Sequence, residues 1–279
     1  MPGHRGRKDS ALPISLFLTA LAVLLRSVAG LGGNAAPGID PALLAQVVAN
    51  QQAAMKRLEE YCYRQTILEE KLNNQGGVVW GEQRDEVVCH CDGVPLYKQL
   101  VINGRPTGQR ETDPWPVIRN DQNWQKQVRR AAEKSQRYAQ IIAEVPKAFE
   151  FTLLGEEHFE ERPAQVYQLT PKPGYRPISR PTEMLRHVSG RAWIDPASAT
   201  LLRLVAQVQS DFDMWGGLVL KVRKGGAYEM RQRAVNGAWL PYYTEERWHA
   251  RIALIKHLAQ HVRLERSDFR REALTATRR

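Results

Sequence analysis

The C-terminal half of the chain is dominated by short runs of alternating apolar and polar residues with tight-turn sequences between them. These runs lie at 190–194, 201–209, 218–223, 228–235 and 239–248, and two shorter ones follow at 251–256 and 262–266. Asp195-Pro196 and Asn236-Gly237 are typical of the turns that join neighbouring antiparallel strands. Because helical patterns precede these strands, the sequence predicts an α+β fold built on an antiparallel meander.

Two of these predicted strands carry one apolar and one polar face. Arg203 and Gln207 interrupt one apolar series, and Lys221 and Arg223 interrupt the other. A sheet with one apolar face covers an apolar space. We predict that this face binds an apolar ligand through Leu202, Leu204, Ala206, Val208, Leu218, Leu220 and Val222. The alternative is that helices fill the same space as an ordinary core, and periodicity does not separate the two.

Two amphipathic helices precede the meander. Asp40-Pro41 is a typical helix start, and the stripe that predicts a helix over 41–60 consists of Leu44, Val47, Val48, Gln51, Met55 and Leu58. The second helix starts at Asp121 and ends at Pro146, with a stripe of Trp124, Val128, Ala131, Ser135, Tyr138, Ile142 and Val145. Its opposite face carries five cations. They are compatible with binding of phosphates or anionic lipid, or with a helix face that is simply exposed to solvent. No nucleic-acid motif accompanies them, so no nucleic-acid partner is expected.

The first thirty residues have the pattern of a secretory signal peptide. A basic start is followed by an apolar run over 11–25 and by small residues at Ser27-Val28-Ala29. The run is shorter than the about 20 residues needed to span a bilayer, although an uncleaved anchor is the alternative. We therefore predict a periplasmic protein with a signal peptide (1–29), a linker (30–40), one domain (41–272) and a basic tail (273–279). A mean hydropathy of −0.47 excludes a polytopic membrane protein.

Three cysteines lie in or beside a predicted hairpin. Asn73-Asn74-Gln75-Gly76-Gly77 is a strong turn signal, and a two-residue loop at Gln75-Gly76 places Cys62 directly opposite Cys89. Export permits a disulfide, so we predict a Cys62–Cys89 bridge, with Cys62–Cys91 as the alternative. A metal site at Cys89-His90-Cys91 is disfavoured, because alternation puts His90 on the other face and a fourth ligand is missing. No metal or cofactor is expected.

Several segments of the chain resemble exported bacterial proteins of the LolA-like superfamily. The resemblance rests on Trp193-Ile194-Asp195, on Gly237-Ala238-Trp239-Leu240-Pro241 and on Ser267-Asp268-Phe269-Arg270. It covers about 148–271 well and the N-terminal half by its layout of helix, hairpin, helix and sheet. The resemblance implies an unclosed antiparallel β-barrel with helices covering its concave face. It also implies a cavity for acyl chains and a basic residue that governs ligand release, for which Arg64 is the candidate by location.

Two function classes fit these features better than an enzyme does. The first is a non-catalytic periplasmic carrier of lipid or lipoprotein acyl chains in outer-membrane lipoprotein sorting, at most peripheral to the membrane. The second is an interaction or sensor module on the same scaffold that binds a protein partner, such as an envelope membrane protein, without lipid. His257 and His261 are more typical of residues flanking a turn than of a metal site. Nucleophile, zinc-protease and phosphate-loop motifs are absent from the sequence.

Overall fold

The computed structural model describes residues 38–116, 118, 121–214, 220–252, 256–272 and 274–276. Within them lie three α-helices, which we name α1 (Pro41–Leu58), α2 (Gln122–Ala148) and α3 (Arg180–Glu183), and a 3-10 turn at Met184–Arg186. None of the described helices is long and apolar enough to cross a membrane. The predicted signal peptide lies outside the described residues, and the division of the chain into leader, linker, domain and tail remains a prediction.

All thirteen described strands belong to one sheet. They are β1 (Tyr61–Leu72), β2 (Val78–Cys91), β3 (Val94–Ile102), β4 (Arg105–Pro106), β5 (Phe149–Phe159), β6 (Arg162–Pro171), β7 (Val188–Asp195), β8 (Thr200–Val208), β9 (Phe212–Met214), β10 (Leu220–Val222), β11 (Ala227–Val235), β12 (Ala238–Ile252) and β13 (Lys256–Arg271). Hydrogen-bonded neighbours follow the order β4-β3-β2-β1-β13-β12-β11-β8-β7-β6-β5, with the β9–β10 hairpin attached to β12. The end strands do not pair, which confirms the expected α+β fold with an unclosed antiparallel sheet.

The first hairpin has the predicted register. Tyr63 lies opposite Val88, and a Cys62–Cys89 disulfide joins its strands while Cys91 is free and buried. The predicted two-residue loop is wrong: Asn73 N–H donates to the Gly77 carbonyl at 2.8 Å, and the register shifts between Lys71 and Leu72. The irregularity therefore sits at the tip, where it leaves the pairing next to the cysteines unchanged.

Three other predicted boundaries differ from the structure. Pro146 lies in the last turn of α2 rather than ending it. The β5–β6 turn, which the sequence predicts at Arg162-Pro163, lies at Glu160 and Glu161, which have φ values of 46° and 64°. The predicted strands at 251–256 and 262–266 belong to one hairpin, in which Ile252 ends β12 and Lys256 begins β13 opposite it. No glycine or proline marks that turn in the sequence.

The main core lies between the helices and one face of the sheet, which we call the inner face. Leu44 and Val47 of α1 and Ile141 of α2 pack there against Tyr167 and Leu169 of β6. A smaller cluster on the opposite face consists of Ala164, Val166, Trp193 and Leu202. The helices therefore fill much of the concave side of the sheet with their own side chains, and any ligand site is confined to the space that remains.

Candidate ligand-binding site

An apolar cavity of about 60 Å³ remains between α1, α2 and the inner face of the sheet. Gln51 and the Tyr138 hydroxyl are its main polar groups. Its wall is formed by Leu44, Val47, Val48, Gln51, Tyr138, Ile142, Val145, Phe151, Leu169, Ala192, Ile194, Leu201, Leu204 and Met230. The two helix stripes thus provide one wall, and the inner face of β5–β8 and β11 provides the other.

A second cavity of about 180 Å³ lies beside the first and is mostly polar. It is lined by Asn50, Gln51, Ala53, Ala54, Arg57, Ser198, Thr200, Leu201, Gln232 and Trp239. Gln51 and Leu201 belong to both linings, so the two cavities meet at these side chains. Arg57 is the charged residue of this lining, and it forms no ion pair with any described residue. The combined site has an apolar end and a polar, cationic end.

Gln51 is held at the junction of the two cavities by its neighbours. Its amide nitrogen donates to the Tyr138 hydroxyl at 3.3 Å, and its amide oxygen accepts a hydrogen bond from the side chain of Gln232. Burial raises the pKa of Tyr138 to about 12, so this hydroxyl stays protonated at neutral pH. A neutral hydrogen-bonded group therefore separates the apolar end from the polar end.

Hydrogen bonds fix α1 over both cavities. The Asn50 amide donates to the carbonyls of Ser198 and Ala199, at 3.2 and 3.0 Å, and the Gln52 amide donates to the Ala139 carbonyl of α2 at 3.1 Å. These bonds connect α1 to the β7–β8 turn and to α2. Movement of α1 away from the sheet would break these hydrogen bonds and the one between Gln51 and Gln232.

The structure places the seven predicted site residues in different surroundings. Leu204 lines the apolar cavity, whereas Ala206, Val208 and Val222 are buried in the same core without lining it. Leu202 is not on the same face as Leu204. Leu218 lies outside the described residues, and only the backbone of Leu220 is described, opposite Ile252.

A β-bulge explains the position of Leu202. Trp193 pairs with Arg203 and Ile194 pairs with Leu201, so Leu202 is an extra residue in β8. Its side chain packs with Trp193 on the face opposite the helices, and Leu201 takes the inner position instead. The prediction that Leu202 shares the apolar face of Leu204 is therefore wrong.

Sequence reasoning identified the helical wall of the cavity only as a core stripe, and it missed most of the strand wall. Ala192, Ile194, Leu201 and Met230 were not predicted as ligand-binding residues, although β7 and β11 were predicted as strands. The polar cavity was also missed. Arg57 looks like an ordinary cation in the last turn of a helix, where it is favoured by the helix dipole.

The predicted ligand-release residue and the histidine pair lie away from both cavities. Arg64 is exposed and pairs with Glu111 and, at 3.7 Å, with Asp268. His257 and His261 both lie in β13; His257 directly follows Lys256, which pairs with Ile252 at the end of the β12–β13 hairpin, whereas His261 lies further along the strand. Both ring nitrogens of His261 contact carboxylates, of Glu70 and Glu245, at 2.7 Å, which leaves neither nitrogen free to bind a metal.

No protein-family model and no curated protein matches this chain. Among solved structures, it is similar to a LolA superfamily protein from Nitrosomonas europaea, with 11% identity, coverage of 84% of this chain and 93% of that chain, and a TM-score of 0.32. A DUF1329 family protein from Desulfovibrio piger is 13% identical, with coverage of 84% and 94% and a TM-score of 0.31. In the MucA/MucB complex from Pseudomonas aeruginosa, the matching chain is 11% identical, with coverage of 84% and 99% and a TM-score of 0.22.

Proposed function

We propose that this protein binds amphipathic molecules with an acyl chain, without making or breaking a covalent bond. The observation that carries this proposal is that an apolar cavity and a polar cavity meet at Gln51 and Leu201. The chain of the ligand enters the apolar cavity, and its anionic head lies near Arg57. Acyl chains of lipids and of lipoproteins belong to this ligand class.

The size of the apolar cavity sets a condition on binding. Its volume of about 60 Å³ is smaller than the about 150 Å³ cavity that holds a benzene molecule in a protein core. A longer chain therefore requires α1 or α2 to move outward from the sheet. An outward movement of α1 breaks the hydrogen bonds of Asn50 and Gln52 and the one that Gln51 accepts from Gln232.

The proposed place of action is the periplasm. The signal-peptide pattern of residues 1–29 supports this location, and so does the Cys62–Cys89 disulfide, since disulfides persist in oxidising compartments. A carrier that receives and releases acyl chains there would serve lipoprotein sorting. Native mass spectrometry of the exported protein, followed by lipid extraction, identifies the ligand that it carries.

Affinity is expected to rise with the length of the acyl chain. Each methylene removed from water contributes about 0.8 kcal/mol, which corresponds to about a fourfold decrease in Kd. Calorimetric titration with a series of saturated fatty acids measures this dependence. If Kd does not change with chain length, the chain is not buried and the proposal is wrong.

Replacing Arg57 by glutamine is expected to weaken the binding of a fatty acid by at least about tenfold, because a charge-assisted hydrogen bond contributes about 1.5–3 kcal/mol. Arg57 is exposed, so its substitution leaves the fold intact. The measurement compares Kd for a fatty acid and for the fatty alcohol of equal length, which has no charge.

Lys56→Gln is the matched control, because Lys56 is exposed on the same turn but lines neither cavity. It is expected to leave both Kd values unchanged. An equal loss in the two variants would mean that overall charge, rather than the polar cavity, attracts the ligand.

A further inference from the structure

Several strand ends meet along one rim of the sheet. Lys71, near the end of β1, lies opposite Gln260 near the start of β13, and Ile252 at the end of β12 lies opposite both Lys256 and Leu220. Leu220 in turn lies opposite Met214. We call this edge the hairpin rim, and its strand-end residues are Leu72, Val78, Met214, Leu220, Ile252 and Lys256.

The most exposed apolar segment of the described chain lies on this rim. Val78, Val79 and Trp80 are 55%, 64% and 40% exposed and are consecutive in β2. Because neighbouring residues of a strand point to opposite faces, both faces of the hairpin are uncovered here. The other large exposed apolar residues, Tyr97, Leu154 and Ile178, are separated in the sequence. The rim therefore presents a compact apolar tip that packs against no part of the described chain's core.

Two cations near this tip, Lys71 and Arg251, are without a carboxylate partner among the described residues. The Lys71 ammonium lies 4.6 Å from the centre of the Trp80 ring. Nearby carboxylates share two other partners: Glu69, Glu82 and Glu86 contact Arg84, and Glu70 and Glu245 contact His261. Lys71 and Arg251 form no ion pair within the described residues. The rim thus combines exposed apolar side chains with cations that remain available to an anionic partner.

We propose that the hairpin rim docks onto the surface of an anionic phospholipid bilayer. Val79 and Trp80 enter the interface between head groups and acyl chains, which is where tryptophan concentrates in membrane proteins. Lys71 and Arg251 lie at the level of the phosphates, where each cation gains from the negative surface potential. A protruding tip without a groove suits a lipid surface better than a folded protein partner. This docking goes beyond acyl-chain binding and does not depend on either cavity.

The test is the partitioning of the full chain onto vesicles of phosphatidylglycerol mixed equally with phosphatidylcholine, measured by co-sedimentation. Val79→Asn combined with Trp80→Asn is expected to lower the partition coefficient by about tenfold, because two apolar side chains no longer leave water. Leu154→Asn combined with Ile178→Asn is the matched control and is expected to have no effect. The protein is expected to bind more weakly to vesicles of phosphatidylcholine alone. Lys71→Glu is expected to reduce this difference in binding between the anionic and the neutral vesicles.

A second measurement locates the contact, because another part of the chain could also bind vesicles. Brominated acyl chains quench tryptophan fluorescence on contact, and the difference between the unsubstituted chain and Trp80→Phe isolates the signal of Trp80. Quenching of that signal on anionic vesicles is the expected result. The proposal is overturned if Trp80 is not quenched while the protein sediments with the vesicles. It is equally overturned if the full chain does not bind, or if the control pair loses as much binding as the tip pair.

Discussion

Replacing Cys62 and Cys89 together by alanine is expected to lower the free energy of unfolding by about 3–4 kcal/mol. The disulfide joins residues that are 27 positions apart, so its removal increases the conformational freedom of the unfolded chain. Both residues are almost completely buried, and their truncation also removes packing contacts. Urea unfolding of the two proteins under non-reducing conditions measures the difference.

Cys91→Ala is the control for this experiment. Cys91 is also buried and lies two residues from Cys89, but its thiol is free. A loss of less than about 1 kcal/mol is expected from it, because only a small side chain is truncated. If the control is as unstable as the double variant, or if a non-reducing peptide map joins Cys62 to Cys91, the assignment of the pair is wrong.

The hairpin was predictable because its information is local. The turn signal at Asn73–Gly77 lies between two strand patterns and limits the register to few choices, of which one aligns Cys62 with Cys89. The irregular pairing at Leu72 did not disturb this result, since it falls between the turn and the first regular pair at Lys71. The positions of the helices could also be predicted from the sequence, because α1 and α2 each have a continuous apolar stripe and an aspartate at the N-cap.

The features that escaped prediction depend on contacts between distant segments. The bulge at Leu202 exists because β8 pairs with β7 in a particular register, and nothing in the local alternation of β8 shows it. The polar cavity forms only when α1 is placed over β8 and β11, so Arg57 and Gln232 meet from positions 175 residues apart. The boundary between β12 and β13 was misplaced because no glycine or proline lies between Ile252 and Lys256 in the sequence.

The buried carboxyl of Glu246 gives the protein a pH dependence that sequence reasoning did not anticipate. Glu246 lies on the inner face of β12 opposite Tyr228, and its Oε1 atom has no hydrogen-bond partner among the described residues. Burial, with a contribution from the charge of Glu69, raises the pKa of Glu246 well above its usual value. The folded state therefore holds a proton that the unfolded state releases as the pH rises above the ordinary pKa of glutamate.

Glu246→Gln is expected to stabilise the protein at neutral and alkaline pH and to have little effect near pH 4. Between the ordinary pKa of glutamate and the raised pKa of Glu246, the folded state binds more protons than the unfolded state. The stability of the unsubstituted protein therefore falls as the pH rises through this range. The slope is at most about 1.4 kcal/mol per pH unit for one proton. Glutamine keeps the shape of the protonated acid and removes this slope. Urea midpoints measured from pH 4 to pH 9 give the difference between the two proteins.

Glu245→Gln, on the opposite face of the same strand, should show the reverse dependence. Burial alone would raise the pKa of Glu245, but hydrogen bonds from Tyr243 and His261 outweigh it and hold the pKa below its usual value. The ionised carboxylate therefore stabilises the folded protein above the ordinary pKa of glutamate, and this contribution is lost as the pH falls. The Glu245 variant is expected to be less stable than the unsubstituted protein at neutral pH, with a gap that closes in acid. Two variants that shift in the same direction would contradict the assignment of Glu246 as a neutral buried acid.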